Sequence, residues 1–379
     1  GYFPSASFGW RVSEEAFMQG SRKWLSNLKF RVGWGTTGNN NTKNYYPSQL
    51  LYLGDQNYAF NNSIDNPAIY ISQMPNKDLK WETTYQTNIG LDFGLFNNRI
   101  NGVVDIYDKQ TKDLLLYAEV PLSIGFDKIQ QNIGSVRNRG LEISINTVNL
   151  VGGRGRFKWT TNFNISFNRN EITGLSGDQD YQVSGLDSPK LSNLYIARIG
   201  HPLSEMFGYV YDGVYQYEDF NEVSPNVFVL KDGIPNNTKE RNTIQPGDMK
   251  LKDINGKVTP EDMTVIGHGL PVHTGGFTNN FEYKGFDLSV FFQWSYGNDV
   301  INYNRAKLEN MNGVRHTNML ASAKDHWTPR IDNGDGTYAA GNYTNYLWRV
   351  DGGLSDINTS RVVEDASFLR LKNVQLGYN

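Results

Sequence analysis

Cysteine is absent from the 379 residues. That excludes a disulfide scaffold, a thiolate zinc site and a thiol nucleophile. Long apolar runs are missing as well. The best one, Leu114, Leu115 and Leu116 with Tyr117 and Ala118, meets Glu119 at once, far short of the roughly 18 apolar residues of a membrane helix. The opening Gly1-Tyr2-Phe3-Pro4-Ser5 carries no basic stretch followed by an apolar core and is not read as a signal peptide. Neither sign of charge dominates: 36 Lys+Arg stand against 39 Asp+Glu, a net charge of −3, which argues against a nucleic-acid partner. No G-x-S-x-G, P-loop or dinucleotide glycine pattern occurs. The five His fall in irregular stretches, and His268 and His273 flank Gly269-Leu270-Pro271 without a zinc-ligand spacing. Catalysis is therefore not expected.

What is abundant is Gly (38), Tyr (22) and Phe (20), in a chain only 38% hydrophobic. With a mean hydropathy of −0.54, this profile fits β-structure with one apolar and one polar face. The length admits two ordinary domains or one large β architecture.

Alternation of period two recurs along the chain and predicts strands. Over residues 29–37, Phe30, Val32 and Trp34 alternate with Lys29, Arg31 and Gly33. Over 88–96, Ile89, Leu91, Phe93 and Leu95 alternate with Asn88, Gly90, Asp92 and Gly94. The same pattern covers 140–148, 157–168 and 286–296, with Phe291 the one exception. Soluble strands average about 5–6 residues, whereas a tilted membrane-spanning strand needs about 9–11; most of these runs reach the longer figure. Their apolar faces are free of charge, as lipid contact demands. A large soluble β-sandwich would alternate too, and stays open as an alternative.

The connections are asymmetric. Asn97-Asn98 and Lys284-Gly285 read as tight hairpin turns, and residues 152–155 (GGRG) as a slightly longer one. Long irregular stretches fall at 38–80, 113–133, 172–271 and 298–365. Short turns on one side and long loops on the other are the signature of an outer-membrane β-barrel. Residues 13–27, on the short-turn side, predict a short helix. The count is about nine strands, or about eleven if 172–271 holds a further pair, for which residues 206–216 are the candidate. Bacterial barrels have even counts, and an open sheet in lipid leaves edges of unsatisfied backbone. The fold class expected is therefore an all-β antiparallel transmembrane β-barrel, in part, with more strands elsewhere.

The residues also resemble a family. The opening GYFPSASFGWRVSEE (1–15), WLSNLK (24–29) with GTTGN (35–39), DLKWETT (78–84), residues 88–99, DKQTKDLL (108–115), NRGLE (138–142), PGD (246–248) and DASFLRLKNV (365–374) together resemble the SusC/RagA TonB-dependent outer-membrane transporters. The resemblance implies a barrel of about 22 strands, an N-terminal plug and a TonB-contact segment. Plug, contact segment and last strands are expected to lie outside residues 1–379. It further implies an outer-membrane location, a SusD-like surface lipoprotein as partner, TonB coupling through the N-terminal part, and oligosaccharide or peptide substrates. A soluble surface-binding or adhesion module and a passive porin are the alternatives.

Two candidate sites follow. Asp253, Asn255 and Asp262 lie where many members have a D-x-N-G-D-G stretch like a calcium loop. Here Gly256 runs directly into Lys257, so a tight Asn-Gly turn is favoured over calcium. The stretch DNGDG (332–336) would put Ile331 at the first ligand position and reads as a loop-tip turn. Aromatic residues at strand ends (Trp10, Trp34, Trp81, Trp159, Trp294, Tyr296) fit an interfacial girdle. Tyr45, Tyr46, Tyr343, Tyr346 and Trp348, in the long loops, are candidates for stacking on sugar rings.

Overall fold

A computed structural model describes residues 1–41, 46–60, 63–126, 128–152, 156–175, 181–184, 194–253, 258–309, 311, 318–354 and 358–378. Its main feature is a nine-stranded sheet in which every neighbouring pair is antiparallel. The strands, in both chain and spatial order, are β1 (Ser5–Trp10), β2 (Leu25–Asn39), β3 (Glu82–Leu95), β4 (Ile100–Lys112), β5 (Ser135–Leu150), β6 (Lys158–Gly174), β7 (His273–Tyr283), β8 (Phe286–Tyr296) and β9 (Phe368–Tyr378). All but β1 run for 11 to 17 residues, enough to cross a bilayer at a tilt.

β6 pairs directly with β7, Lys158 opposite Glu282 and Phe167 opposite His273. The described residues of the long stretch between them thus add nothing to the sheet, whose strand count is nine among the described residues. Residues 206–216 instead contribute the short strands Glu205–Gly208 and Tyr211–Val214 to small separate sheets. The expected helix at 13–27 is two short 3-10 segments, Val12–Glu14 and Ala16–Ser21.

Turn chemistry explains the short side. Tyr283 faces Phe286, and the two residues between them, Lys284 (φ 48°) and Gly285 (φ 86°), are both left-handed, as a type I′ hairpin requires. The turn between β3 and β4 closes on the pair Leu95–Ile100 and holds Phe96, Asn97 and Asn98 at φ 53°, 57° and 60°. Asn tolerates that region better than most residues. The expected turn at 152–155 has residues 153–155 outside the described set.

Cross-strand register sorts the faces. One row runs Phe30, Leu91, Val104, Ile143, Ile165, Gly275, Trp294 and Leu369; the next outward runs Val32, Ile89, Ile106, Leu141, Phe167, His273 and Tyr296. This apolar face is bare: Ile89 is 44% exposed, Ile106 55% and Leu371 53%. In a β-sandwich a second sheet would cover it. A bare apolar band of this extent belongs against lipid. The opposite face carries Lys29, Arg31, Asp92, Asp105, Glu142, Asn164 and Gln293 and is the wet side.

Buried apolar residues gather elsewhere, in a cap built from the two longest connections. Its core contains Tyr209, Val214, Met249, Leu251, Trp327, Leu347 and Trp348. Backbone bonds from Tyr209 to Asn358 and from Met249 to Gly352 tie the two connections together. A smaller cluster of Tyr215, Phe220, Leu230 and Ile244 lies beside it.

Candidate functional site

Two surfaces can meet a solute: the polar wall of the sheet and the cap that both long connections form at its outer end. On the wall, alternation points Arg31 of β2, Asp92 of β3 and Asp105 of β4 to one side. Arg31 Nη2 lies 2.8 Å from Asp92 Oδ1 and 2.9 Å from Asp105 Oδ1. Gly90 makes the crossing feasible, since a Cβ there would stand 2.4 Å from Asp105 Oδ1 and 2.6 Å from Arg31 Cζ. The groups are 23–36% exposed, so the triad contributes little to stability but fixes charge along the inner wall. Such fixed charge steers polar solutes through a water-filled lumen.

In the cap, PGD (246–248) makes the sharpest construction. Gly247 is left-handed at φ +89°, and a Cβ on it would fall 2.3 Å from Cε3 of Trp327. The next residue, Asp248, is fully buried; its Oδ1 accepts from Arg349 Nε at 2.7 Å and its Oδ2 lies 3.5 Å from Lys239 Nζ. A second network centres on Glu309, 2% exposed. It accepts hydrogen bonds from Arg361, from Arg305 Nε (3.0 Å), from Ser322 Oγ (2.6 Å) and from the Tyr346 hydroxyl (3.1 Å). Burial alone would raise its carboxyl, but these donors and the Arg361 charge outweigh it, and the group sits below its ordinary 4.5. Tyr211, pushed up to about 12 chiefly by burial, donates to the Asn345 carbonyl at 3.1 Å.

The sequence candidates land in different settings. Trp348 is 7% exposed and belongs to the cap core, with Arg361 at 5.4 Å from its ring; Tyr211 packs edge-on at 6.4 Å. Its ring faces are occupied by protein, so the expected stacking on a sugar finds no free face there. Tyr346, 40% exposed, is engaged by its hydroxyl and lies beneath Arg305 and Arg361. Tyr343, 42% exposed, leans on Tyr217 and Trp327 at 5.5 and 5.9 Å. Tyr46 is 57% exposed; Tyr45 lies outside the described residues. An aromatic box of Tyr217, Phe228 and Tyr338 is filled from within by Arg330, whose guanidinium lies 5.4, 5.4 and 3.9 Å from the three rings and pairs with Glu222.

Of the three residues considered for calcium, Asn255 lies outside the described residues. Asp262 is 2% exposed, and its Oδ2 accepts from the Thr259 N–H at 2.7 Å and hydroxyl at 3.3 Å, capping the short helix Pro260–Asp262. That engagement turns its carboxylate toward the chain. Residues 332–336 form a hairpin tip between Ile331–Asp332 and Tyr338–Ala339, with Gly334 and Gly336 left-handed.

A chain whose sheet is bare and apolar on one side and polar on the other, with short turns at one end and a folded cap at the other, has the anatomy of an outer-membrane barrel wall. Comparison with known proteins decides which. Residues 1–379 match the family model "TonB dependent receptor-like, beta-barrel". The chain belongs to that family. It is 33% identical to TonB-dependent receptor P39 of Formosa agariphila, over 100% of this chain and 36% of that protein. It is 32% identical to TonB-dependent receptor SusC of Bacteroides thetaiotaomicron, over 100% of this chain and 34% of that protein. Among solved structures, the RagAB peptide importer in its "open-open" state superposes with a TM-score of 0.73 at 26% identity, over 100% of this chain and 36% of that one. The chain thus spans about a third of the length of these relatives. The nine-stranded sheet is a section of the TonB-dependent receptor barrel, and its resemblance to SusC and RagA holds along the whole chain.

Sequence reasoning missed the Arg31 triad and the Glu309 network. Both sets of residues stood on polar positions, but only the cross-strand register, for the first, and the folding of residues 299–365 back on themselves, for the second, bring them together.

Proposed function

We propose that this chain forms part of the wall and the outer cap of a SusC-like TonB-dependent importer in the outer membrane of a Gram-negative bacterium. It would take up oligosaccharides or peptides beneath a SusD-like surface lipoprotein, and TonB would couple through the N-terminal part of the whole protein. The observation that carries the reading is the pairing of a bare apolar face with a charged inner wall on one family-matched sheet. Import is what this anatomy serves. The edges support a larger closed barrel: among the described residues β1 and β9 each have a sheet partner on one side only, and an open edge in lipid costs several kcal/mol per unsatisfied group.

The test is uptake of labelled oligosaccharides and peptides by cells carrying the full-length gene, with and without TonB. Uptake that persists without TonB would identify a passive porin instead.

The hairpin Leu51–Phe60 with Ser63–Gln73 favours a protein partner at the mouth. It stands in the first outer connection with Tyr52 64%, Tyr58 54% and Ile69 76% exposed, an apolar surface typical of docking sites. Replacing Tyr52 and Ile69 by Ser is expected to weaken capture of the lipoprotein about tenfold or more while leaving the detergent-purified barrel's melting unchanged. Undiminished co-purification would remove the hairpin from the docking surface.

A further inference from the structure

Above the apolar band, the lipid-facing side of the sheet turns cationic. The register that puts Ile106 opposite Leu141 puts Asp108 opposite Arg139 and Gln110 opposite Arg137; Arg139 in turn faces Arg169, and Arg137 faces Glu171. By the same alternation Lys112 points outward. From β4 to β6 this outer row thus holds four cations and two carboxylates. Arg137 pairs with Asp108, and Arg139 Nη2 lies 3.0 Å from Glu171 Oε2. The Arg169 side chain makes no hydrogen bond or ion pair among the described residues.

Arg139 and Arg169 border a cleft of about 480 Å³ whose apolar floor is Ile89, Ile106, Leu141 and Phe167. The floor belongs to the outermost row of the lipid-facing band, so acyl chains lie against it. The two guanidiniums stand one row higher, at headgroup level. From Thr147, on the inner margin of the same face, to Arg139 is about 27 Å of strand, or roughly 20 Å of height at the usual tilt, close to the height of a barrel's apolar band. Asp108 also lines the upper rim, its charge taken up by Arg137; a cleft apolar below, with Arg139 and Arg169 above, complements a lipid with a phosphate on its headgroup, because planar guanidiniums bind phosphate through paired N–H donors.

We infer that the cleft bounded by Arg139 and Arg169 is a binding site for an anionic, phosphate-bearing lipid of the outer leaflet. The inference rests on the barrel reading, which makes this face the lipid-facing one. It goes beyond solute import, since the ligand is held on the outside of the wall.

The test uses the full-length protein reconstituted with diphosphoryl lipid A, phosphatidylcholine, or phosphatidylcholine plus inorganic phosphate, and reads bound lipid by native mass spectrometry. With each near-surface cation contributing as basic residues do at anionic membranes, Arg139→Gln with Arg169→Gln should lower lipid A retention about 20- to 30-fold. Phosphatidylcholine retention should not change, and Arg139→Lys with Arg169→Lys, which keeps the charge but loses the paired donors, should restore only part of the binding. Equal lipid A retention in the Gln variant overturns the site. So does displacement of lipid A by inorganic phosphate alone, which would make it a soluble-anion site. In the unmodified protein, lipid A retention must also fall as salt rises while phosphatidylcholine retention holds; a flat salt response overturns the proposal even if the Gln variant fails to insert. Failure of the unmodified protein to hold any lipid would sink the barrel reading itself.

Discussion

Trp327→Ala should unfold the cap while leaving the barrel wall standing. Trp327 is 2% exposed; its indole N–H donates to Gln216 Oε1 at 3.0 Å, and its ring meets Tyr217 at 5.5 Å and Tyr343 at 5.9 Å. Gly247 is pressed against its face from the other connection. Removing the indole deletes the largest fully buried side chain of the cap, and buried Trp→Ala changes cost about 3–5 kcal/mol. The cap is held by two modest clusters, and Trp327 stands in the larger, so a loss of that size is a large share of its stability. The wall depends on backbone ladders and lipid contact, which the change does not touch. Hydrogen exchange on the detergent-purified protein should therefore show residues 205–268 and 320–365 losing protection while β2 to β8 keep theirs. Gly247→Val should act in the same direction, because it adds a left-handed strain to the clash with the ring. Uniform loss of protection in cap and wall would show that the two are one cooperative unit.

Much of the wall was legible because lipid and lumen impose a strict period of two over long strands, a pattern that survives without knowledge of neighbours. Lys284-Gly285 revealed its hairpin for the same reason: a type I′ turn demands specific residues locally. The count was not legible to the last pair. Residues 206–216 alternate as a spanning strand does, and only the direct pairing of β6 with β7 shows that they belong to the cap. Trp348 misleads in the same way. An aromatic in a long, polar, glycine-rich loop reads as a solvent-facing platform, yet here the loop is itself a folded layer and buries it. Arg31 with Asp105, and Glu309 with Arg361, are 74 and 52 residues apart in sequence. Such pairs carry no local signal, and register or tertiary packing must supply them.

Glu309→Gln should destabilise the cap by about 3–5 kcal/mol, the usual cost of stripping one partner from a buried ion pair. Arg361, with a side chain only 5% exposed, would lose its sole carboxylate partner among the described residues; the Tyr346 carbonyl at 3.0 Å would remain. Since the cost lies in the orphaned charge, Glu309→Leu with Arg361→Met should recover most of it, and a double-mutant cycle reads the coupling directly. The same carboxylate makes the cap sensitive to acid. Its folded-state pKa is depressed below 4.5, so its contribution is full above that value and is lost as pH falls through the lower, folded-state value. Cap protection in the unmodified protein should fall as the pH drops from 4.5 through the lower, folded-state value, and this acid limb should flatten in the Gln variant, which has no proton to take up. An acid limb of unchanged size in the variant would assign the sensitivity to another group, with Glu222, held low by its hydrogen bond from Arg330, the next to replace.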